Sequence, residues 1–216
     1  MAVFYFVFTT VFDSQEPYFP LFLFCSLIHF LFFVETATKA MSMFDSKRYL
    51  LENIQISAMD IYYSNLLAGF LGFAFNLTIF FVFRLTLIPE IPDRSILLYP
   101  LVLINLMIFT HTVSLILSII WAFFRDIAHL WNIAHLALMW LSGVFFNIDL
   151  TPGSETRIFA FFSPLPGIFI HSRSLLMYNE PIHWNLFIFD FGYAILLWGI
   201  AHSIFRRYGS RALEKL

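Results

Sequence analysis

The stretch "WAFFRDIAHLWNIAHL", Trp121 to Leu136, sets an arginine and an aspartate side by side between two long apolar runs. No Lys, Arg, Asp or Glu occurs between Ser95 and Phe124, and none between Ile127 and Ile148. Runs of this length suit a hydrocarbon core about 30 Å thick, which about twenty helical residues cross. Arg125 and Asp126 therefore read either as a turn at a membrane surface or as a buried functional couple.

Composition agrees with the first context. The chain is 60% hydrophobic and only 12% charged, and Phe alone supplies 30 of 216 residues. Soluble domains carry roughly 25% charged residues to hold their surface in water. Half that density means that lipid solvates most of the surface. A net charge of -2 argues against nucleic acid as a partner. The single cysteine, Cys25, excludes an intrachain disulfide and behaves as a small hydrophobe within its apolar run.

Outward from the Arg-Asp step, apolar runs of spanning length lie at Phe19–Ala40, Leu66–Ile88, Ile96–Phe124, Ile127–Phe146 and Trp184–Phe205. The first twelve residues, "MAVFYFVFTTVF", lack the basic start and small-residue cleavage site of a signal peptide. As a helix they cover only about 18 Å, so they are expected to be the outer half of a span whose beginning is missing. The polar loop "DSQEPYFP" follows. The expected fold is all-α: a polytopic helical membrane bundle of six spans, the first partial, forming one domain over 1–216. The ten-residue alternation of a membrane barrel is absent from the sequence.

Basic residues set the orientation. With a cytoplasmic C-terminus, Lys39, Lys47, Arg48, Arg125, Arg206, Arg207, Arg211 and Lys215 fall on one side, against Arg94, Arg157 and Arg173 on the other. Eight against three obeys the positive-inside rule. Both termini of a full-length form are then cytoplasmic, as is the tail 206–216.

Two connecting segments exceed simple turns. The segment 43–65, "MFDSKRYLLENIQISAMDIYYSN", mixes charge with Leu50, Leu51, Ile54 and Ile56, and Ser57 with Asp60 fits a capping box opening a new helix. It reads as an interfacial helix or as a docking surface for a cytoplasmic partner. The segment 148–183 carries "RIFAFFSPLPGIFIHSRSLLM", two short apolar pieces split at Ser163-Pro164-Leu165-Pro166-Gly167. Neither piece spans alone. The pattern fits an external re-entrant hairpin, tolerated at membrane depth only where protein or water covers its backbone, or a plain external loop.

Motifs for chemistry are sparse. The sequence has no GxxxxGK[ST], so this chain does not bind and hydrolyse ATP by that route, and it has neither HExxH nor GxSxG. Asn76-Leu77-Thr78 matches a glycosylation sequon but sits mid-span. His29, His111, His135 and His202 lie in or near spans, where interhelical hydrogen bonding is the ordinary reading and haem or metal ligation the alternative. Among intramembrane charges, Arg84 is placed to snorkel outward, Asp190 lies about a turn inside the last span, and Glu35 can pair with Lys39 on one helix face. Aromatic residues make up 20% of the chain, more than interfacial girdles need, and the remainder reads as packing against lipid or as the lining of a passage for sugars or lipid tails.

Together these stretches resemble the membrane subunit of ABC-2-type polysaccharide exporters. "FFRDIAHLWNIAHLALMWLSGVFF" (Phe123 to Phe146) is similar to that family's Arg-Asp turn and the aromatic helix after it. "SPLPGIFIHSRSLLM" resembles its external hairpin, with Ser163 where Asn is usual, and "GIAHSIFRRYGSRALEKL" resembles its last helix and Phe-Arg-Arg tail. "LFLFCSLIHFLFF" and the charged turn at Lys47 and Arg48 fit the second span and coupling segment more loosely. Gly143 stands where many members have Pro.

The resemblance implies a homodimer in the bacterial cytoplasmic membrane, with a passage between the two copies and no cofactor. A separate ATP-binding subunit would dock at Lys47, Arg48, Leu50, Leu51 and Glu52, and a lipid-linked glycan would be the cargo. Ser163, Pro164, Leu165 and Pro166 would gate the exit. The alternatives are an ABC-2 permease for another lipid or a drug, and a haem- or metal-dependent membrane enzyme.

Overall fold

A computed structural model describes residues 18–53, 56–88, 90, 93–148, 150 and 157–214. The partial span expected over residues 1–12 lies outside them. All regular structure among the described residues is helical: α1 (Phe19–Met41), α2 (Met43–Ser46), α3 (Arg48–Asn53), α4 (Ala58–Leu87), α5 (Tyr99–Phe123), α6 (Ile127–Leu141), α7 (Arg157–Phe162), α8 (Pro164–Arg173) and α9 (Trp184–Glu214). A 3-10 turn, Arg94–Leu98, leads into α5, and a π-helical turn, Ser174–Tyr178, continues α8.

Local chemistry explains where these helices begin and end. Pro20 and Pro100 sit in the first turns of α1 and α5, where a missing N–H costs nothing. The expected capping box is formed at α4: Ser57 Oγ accepts from Met59 N at 3.2 Å, and Ser57 N donates to Asp60 Oδ2 at 3.2 Å. Such a cap stabilises a helix start by about 1 kcal/mol. The run expected to cross from Ile127 to Phe146 is helical for 15 residues, about 22 Å. It stops at Ser142 because Gly143 takes φ 71, the left-handed conformation that ends helices.

Four helices among the described residues are long and apolar enough to cross a membrane: Phe19–Met41, Met59–Leu87, Arg94–Phe123 and Trp184–Gly209. The protein is a polytopic helical bundle and an integral membrane protein. α1 and α5 are its centre, 67% and 61% buried over their most apolar windows, whereas α4 and α9 are 17% and 22% buried. The outer helices present Leu67, Leu71, Phe75, Ile188 and Leu196, surfaces suited to lipid or another protein chain.

α5 packs on both α1 and α9, α4 packs on α1, and α8 is inserted among α1, α5 and α9. Phe33 fastens the centre, stacked on Phe109 at 5.4 Å and tilted against Trp131 of α6 at 5.9 Å. Pairs of this kind add about 0.5–1.5 kcal/mol beyond their area. The chain reversals place Asp45, Arg125 and Arg207 at one end, the basic end. Arg94, α8 and the start of α9 occupy the other, the hairpin end.

Candidate functional site

At the hairpin end, Ser163 breaks α7 from α8 with an extended backbone, φ -153 and ψ 164. Its hydroxyl accepts from Leu165 N at 3.4 Å. Pro164 and Pro166 carry no N–H, so this start leaves few backbone donors to satisfy. Every residue from Pro164 to Met177 is buried, and Ser163 is half-buried. The four candidate gate residues thus form one continuous start to an internal helix.

Three polar attachments and one steric contact hold that helix in place. The first is at His29, fully buried in α1, whose Nδ1 lies 2.6 Å from Cys25 O. A carbonyl only accepts, so Nδ1 carries the proton and Nε2 is left as an acceptor. It receives the Tyr99 hydroxyl at 2.8 Å and the Ser172 hydroxyl at 3.1 Å, joining α1, α5 and α8.

The second is Arg173, whose Nη2 donates to Gly143 O at 2.7 Å and Val144 O at 2.9 Å, with Nη1 3.4 Å from Phe146 O. Its guanidinium lies 3.5 Å from the centre of the Phe22 ring. The turn at Gly143 aims these carbonyls inward, and a fork-shaped cation is the side chain that serves several of them at once.

The third is Arg84, which corrects the sequence expectation. It does not snorkel outward but is fully buried, donating through Nε to Leu176 O at 3.0 Å and through Nη1 to Glu90 O at 2.6 Å. The π-helical turn leaves Leu176 O free to accept.

The fourth attachment is steric. Asp190 of α9 is 1% exposed and lies against Gly167, where an added Cβ would meet Oδ2 at 1.6 Å. Neither carboxyl oxygen has a hydrogen-bond partner among the described residues. Between the end of α7 and the start of α9 opens a cavity of about 490 Å³ lined by Leu150, Phe161, Ile182, His183, Trp184, Asn185 and Leu186, which offers aromatic faces, an imidazole and an amide.

At the basic end, the opening Arg-Asp step resolves differently from a bare surface turn. Arg125 does not pair with Asp126. Its Nη1 and Nη2 donate to the two oxygens of Asp45 at 2.8 and 3.3 Å, and Trp121 Nε1 donates to Asp45 Oδ2 at 3.2 Å. Asp126 is exposed and starts α6 through its carbonyl, which accepts from His129 N at 3.0 Å. Lys47 is half-buried at the turn between α2 and α3, and Arg48 is exposed. Leu50, Leu51 and Glu52 lie on α3, and their side chains are outside the described residues.

The sequence reading singles out Asp190 as a candidate for a bundle-facing charge, but it gives no sign of Asp45, Tyr99 or the role of Arg173. Asp45 and Arg125 are 80 residues apart, with no local pattern joining them. Of the histidines, His29 bridges helices, while His111 stacks on Tyr63 at 5.3 Å. No group of three or more His, Cys, Asp or Glu that could hold a metal occurs among the described residues.

A helical bundle with a buried hairpin before its last long helix makes this a multi-pass helical membrane protein. No family model matches the chain. Curated relatives do. The O-antigen export system permease protein RfbA of Klebsiella pneumoniae is 25% identical over 99% of this chain and 82% of its own length, and a second Klebsiella pneumoniae protein of that name is 24% identical over the same shares. The Myxococcus xanthus protein of that name is 26% identical over 65% of this chain and 53% of its own length. These relatives support, across nearly the whole chain, the likeness to ABC-2-type polysaccharide exporter permeases.

Proposed function

We propose that the chain, a single permease domain over 1–216, is the membrane-spanning subunit of an ATP-driven exporter that carries lipid-linked polysaccharide across the bacterial cytoplasmic membrane. The observation that carries this reading is the match along 99% of the chain to proteins named as O-antigen export permeases. The buried hairpin and the aromatic cavity beside it fit the same task. Aromatic faces suit the C–H faces of sugars, and a polar polymer needs a route screened from lipid.

In this reading two copies enclose the passage, and the basic end faces the cytoplasm, an orientation that the excess of Lys and Arg there favours. ATP is hydrolysed by a separate subunit that docks on 43–65, at Lys47, Arg48, Leu50, Leu51 and Glu52. The external segment 148–183, opened at Ser163, Pro164, Leu165 and Pro166, gates the exit as a re-entrant hairpin. The alternative cargo is another lipid or a drug.

Disrupting the gene should remove long-chain polysaccharide from the cell surface and leave lipid-linked glycan accumulating inside, with recovery on complementation. Normal surface glycan in the disrupted strain would overturn the assignment. Reversing both charges of the docking segment (Lys47→Glu with Arg48→Glu) should lower recovery of the ATP-binding subunit with the permease severalfold. Undiminished recovery would move the docking site elsewhere.

A further inference from the structure

We infer that α6 is a lever coupling the two ends of the molecule, with Asp45 the positioning residue that drives it. This rests on the exporter reading for its purpose, but its geometry stands independently. At the basic end α6 is tied through Arg125, two residues before its start, to Asp45 of α2 by the forked pair at 2.8 and 3.3 Å. Trp121 Nε1, bonded to the same carboxylate at 3.2 Å, fixes its orientation. α2 is only four residues long and leads through Lys47 straight into α3, the segment assigned to docking. Met43 anchors α2 in a small apolar cluster with Ala40, Tyr62 and Leu115. A displacement of α3 therefore reaches Asp45 with little slack.

At the other end, one turn past Leu141, the carbonyls of Gly143 and Val144 are held by Arg173 of the hairpin helix at 2.7 and 2.9 Å. Along one face α6 rests on the core through Ile127, Ala128, Leu138 and Met139, and its most buried seat is Trp131. Trp131 is 5% exposed, donates Nε1 to Thr38 Oγ1 at 2.8 Å and tilts against Phe33. Leu130, Ile133, Leu136 and Trp140 are exposed, so the helix is packed on one face only and can move on that seat as a unit. A rigid helix of about 22 Å, fastened at both ends and seated on one face, converts a push at Asp45 into a pull on the carbonyls that position Arg173.

The Asp45–Arg125 pair is well suited to a test, because its side chains are 27% and 61% exposed. Exposed ion pairs contribute little to stability, so breaking one spares the fold. Arg125→Gln, outside the docking segment, should leave membrane level and recovery of the ATP-binding subunit unchanged, yet cut polysaccharide exported per ATP hydrolysed at least about fivefold, and Asp45→Asn should cut it by a similar factor. Arg125→Lys, which keeps the charge but loses the fork, should fall between. In the purified full-length permease alone, in nanodiscs, either variant should speed amide hydrogen exchange at Ser142–Phe146 and along α8 at least about fivefold.

Exchange confined to the Asp45 end would overturn the lever whatever the cargo, as would wild-type export per ATP in both variants. A wild-type protein that moves no glycan, while its variants loosen the far end, would instead overturn the exporter reading and leave the lever standing.

Discussion

Arg173→Leu should unseat the hairpin and lower the thermal midpoint of the purified protein by about 10 °C. The argument is one of acceptors, not of charge. The guanidinium supplies Gly143 O and Val144 O, both of buried residues, at 2.7 and 2.9 Å and approaches Phe146 O, of a half-buried residue, at 3.4 Å. Leucine matches the apolar volume but takes this donor from the buried carbonyls of Gly143 and Val144, each loss costing about 1–3 kcal/mol. Burial of its side chain returns only about 2 kcal/mol.

The contact with Phe22 at 3.5 Å is lost as well, about 1–2 kcal/mol for a desolvated cation over a ring. The net loss is roughly 3–5 kcal/mol, and for a chain of this length each kcal/mol shifts the midpoint by about 2–4 °C. Arg173→Lys should recover less than half, since one ammonium cannot reach carbonyls spread along a turn in the fork geometry. Melting in detergent with a tryptophan readout measures both. A midpoint within about 2 °C of wild type for Arg173→Leu would mean that the carbonyls find other donors.

How much of this was legible beforehand depends on whether the cause was local. Phe19–Met41 was readable to within a residue, because an apolar run closed by Lys39 carries its own length. The capping box at Ser57 and Asp60 was readable because both bonds join residues three or fewer positions apart. The end of α6 was misplaced, because composition continues apolar through Val144, Phe145 and Phe146 while the conformation turns at Gly143.

Arg84 was misread for a different reason. A long cation near a helix end ordinarily reaches for water, and only the approach of Leu176, 92 residues away, offers it a better acceptor. Asp45 was invisible: an aspartate in a charged segment carries no sign of which arginine it will meet. Sequence thus announced helices, caps and family likeness, while the bonds that tie the two ends together arise only when distant segments meet.

The second large effect is expected at the contact between Gly167 and Asp190. In Gly167→Ala the new methyl carbon would stand 1.6 Å from Asp190 Oδ2 and 2.6 Å from its Cγ. Asp190 has two side-chain torsions and a packed surround, 1% exposed, so it cannot swing clear without moving α8 off α9. The single substitution should cost about 2–3 kcal/mol, the usual penalty for overpacking, and lower the amount of folded protein in the membrane. Asp190→Ala alone should cost little or even stabilise, because it removes a buried carboxyl without a hydrogen-bond partner among the described residues.

The two changes are then non-additive. Gly167→Ala with Asp190→Ala should fold nearly as well as Asp190→Ala, a coupling of about 2 kcal/mol or more between residues in contact. Export separates packing from chemistry. A carboxyl kept unpartnered inside a membrane protein is costly and is retained where function uses it. The double variant should therefore recover its level in the membrane but not its export, and Asp190→Asn, similar in size and unable to ionise, should share the export defect while folding normally. Full export by Asp190→Asn would reduce Asp190 to a packing residue. Full export with poor folding in the double variant would show that the clash lies elsewhere.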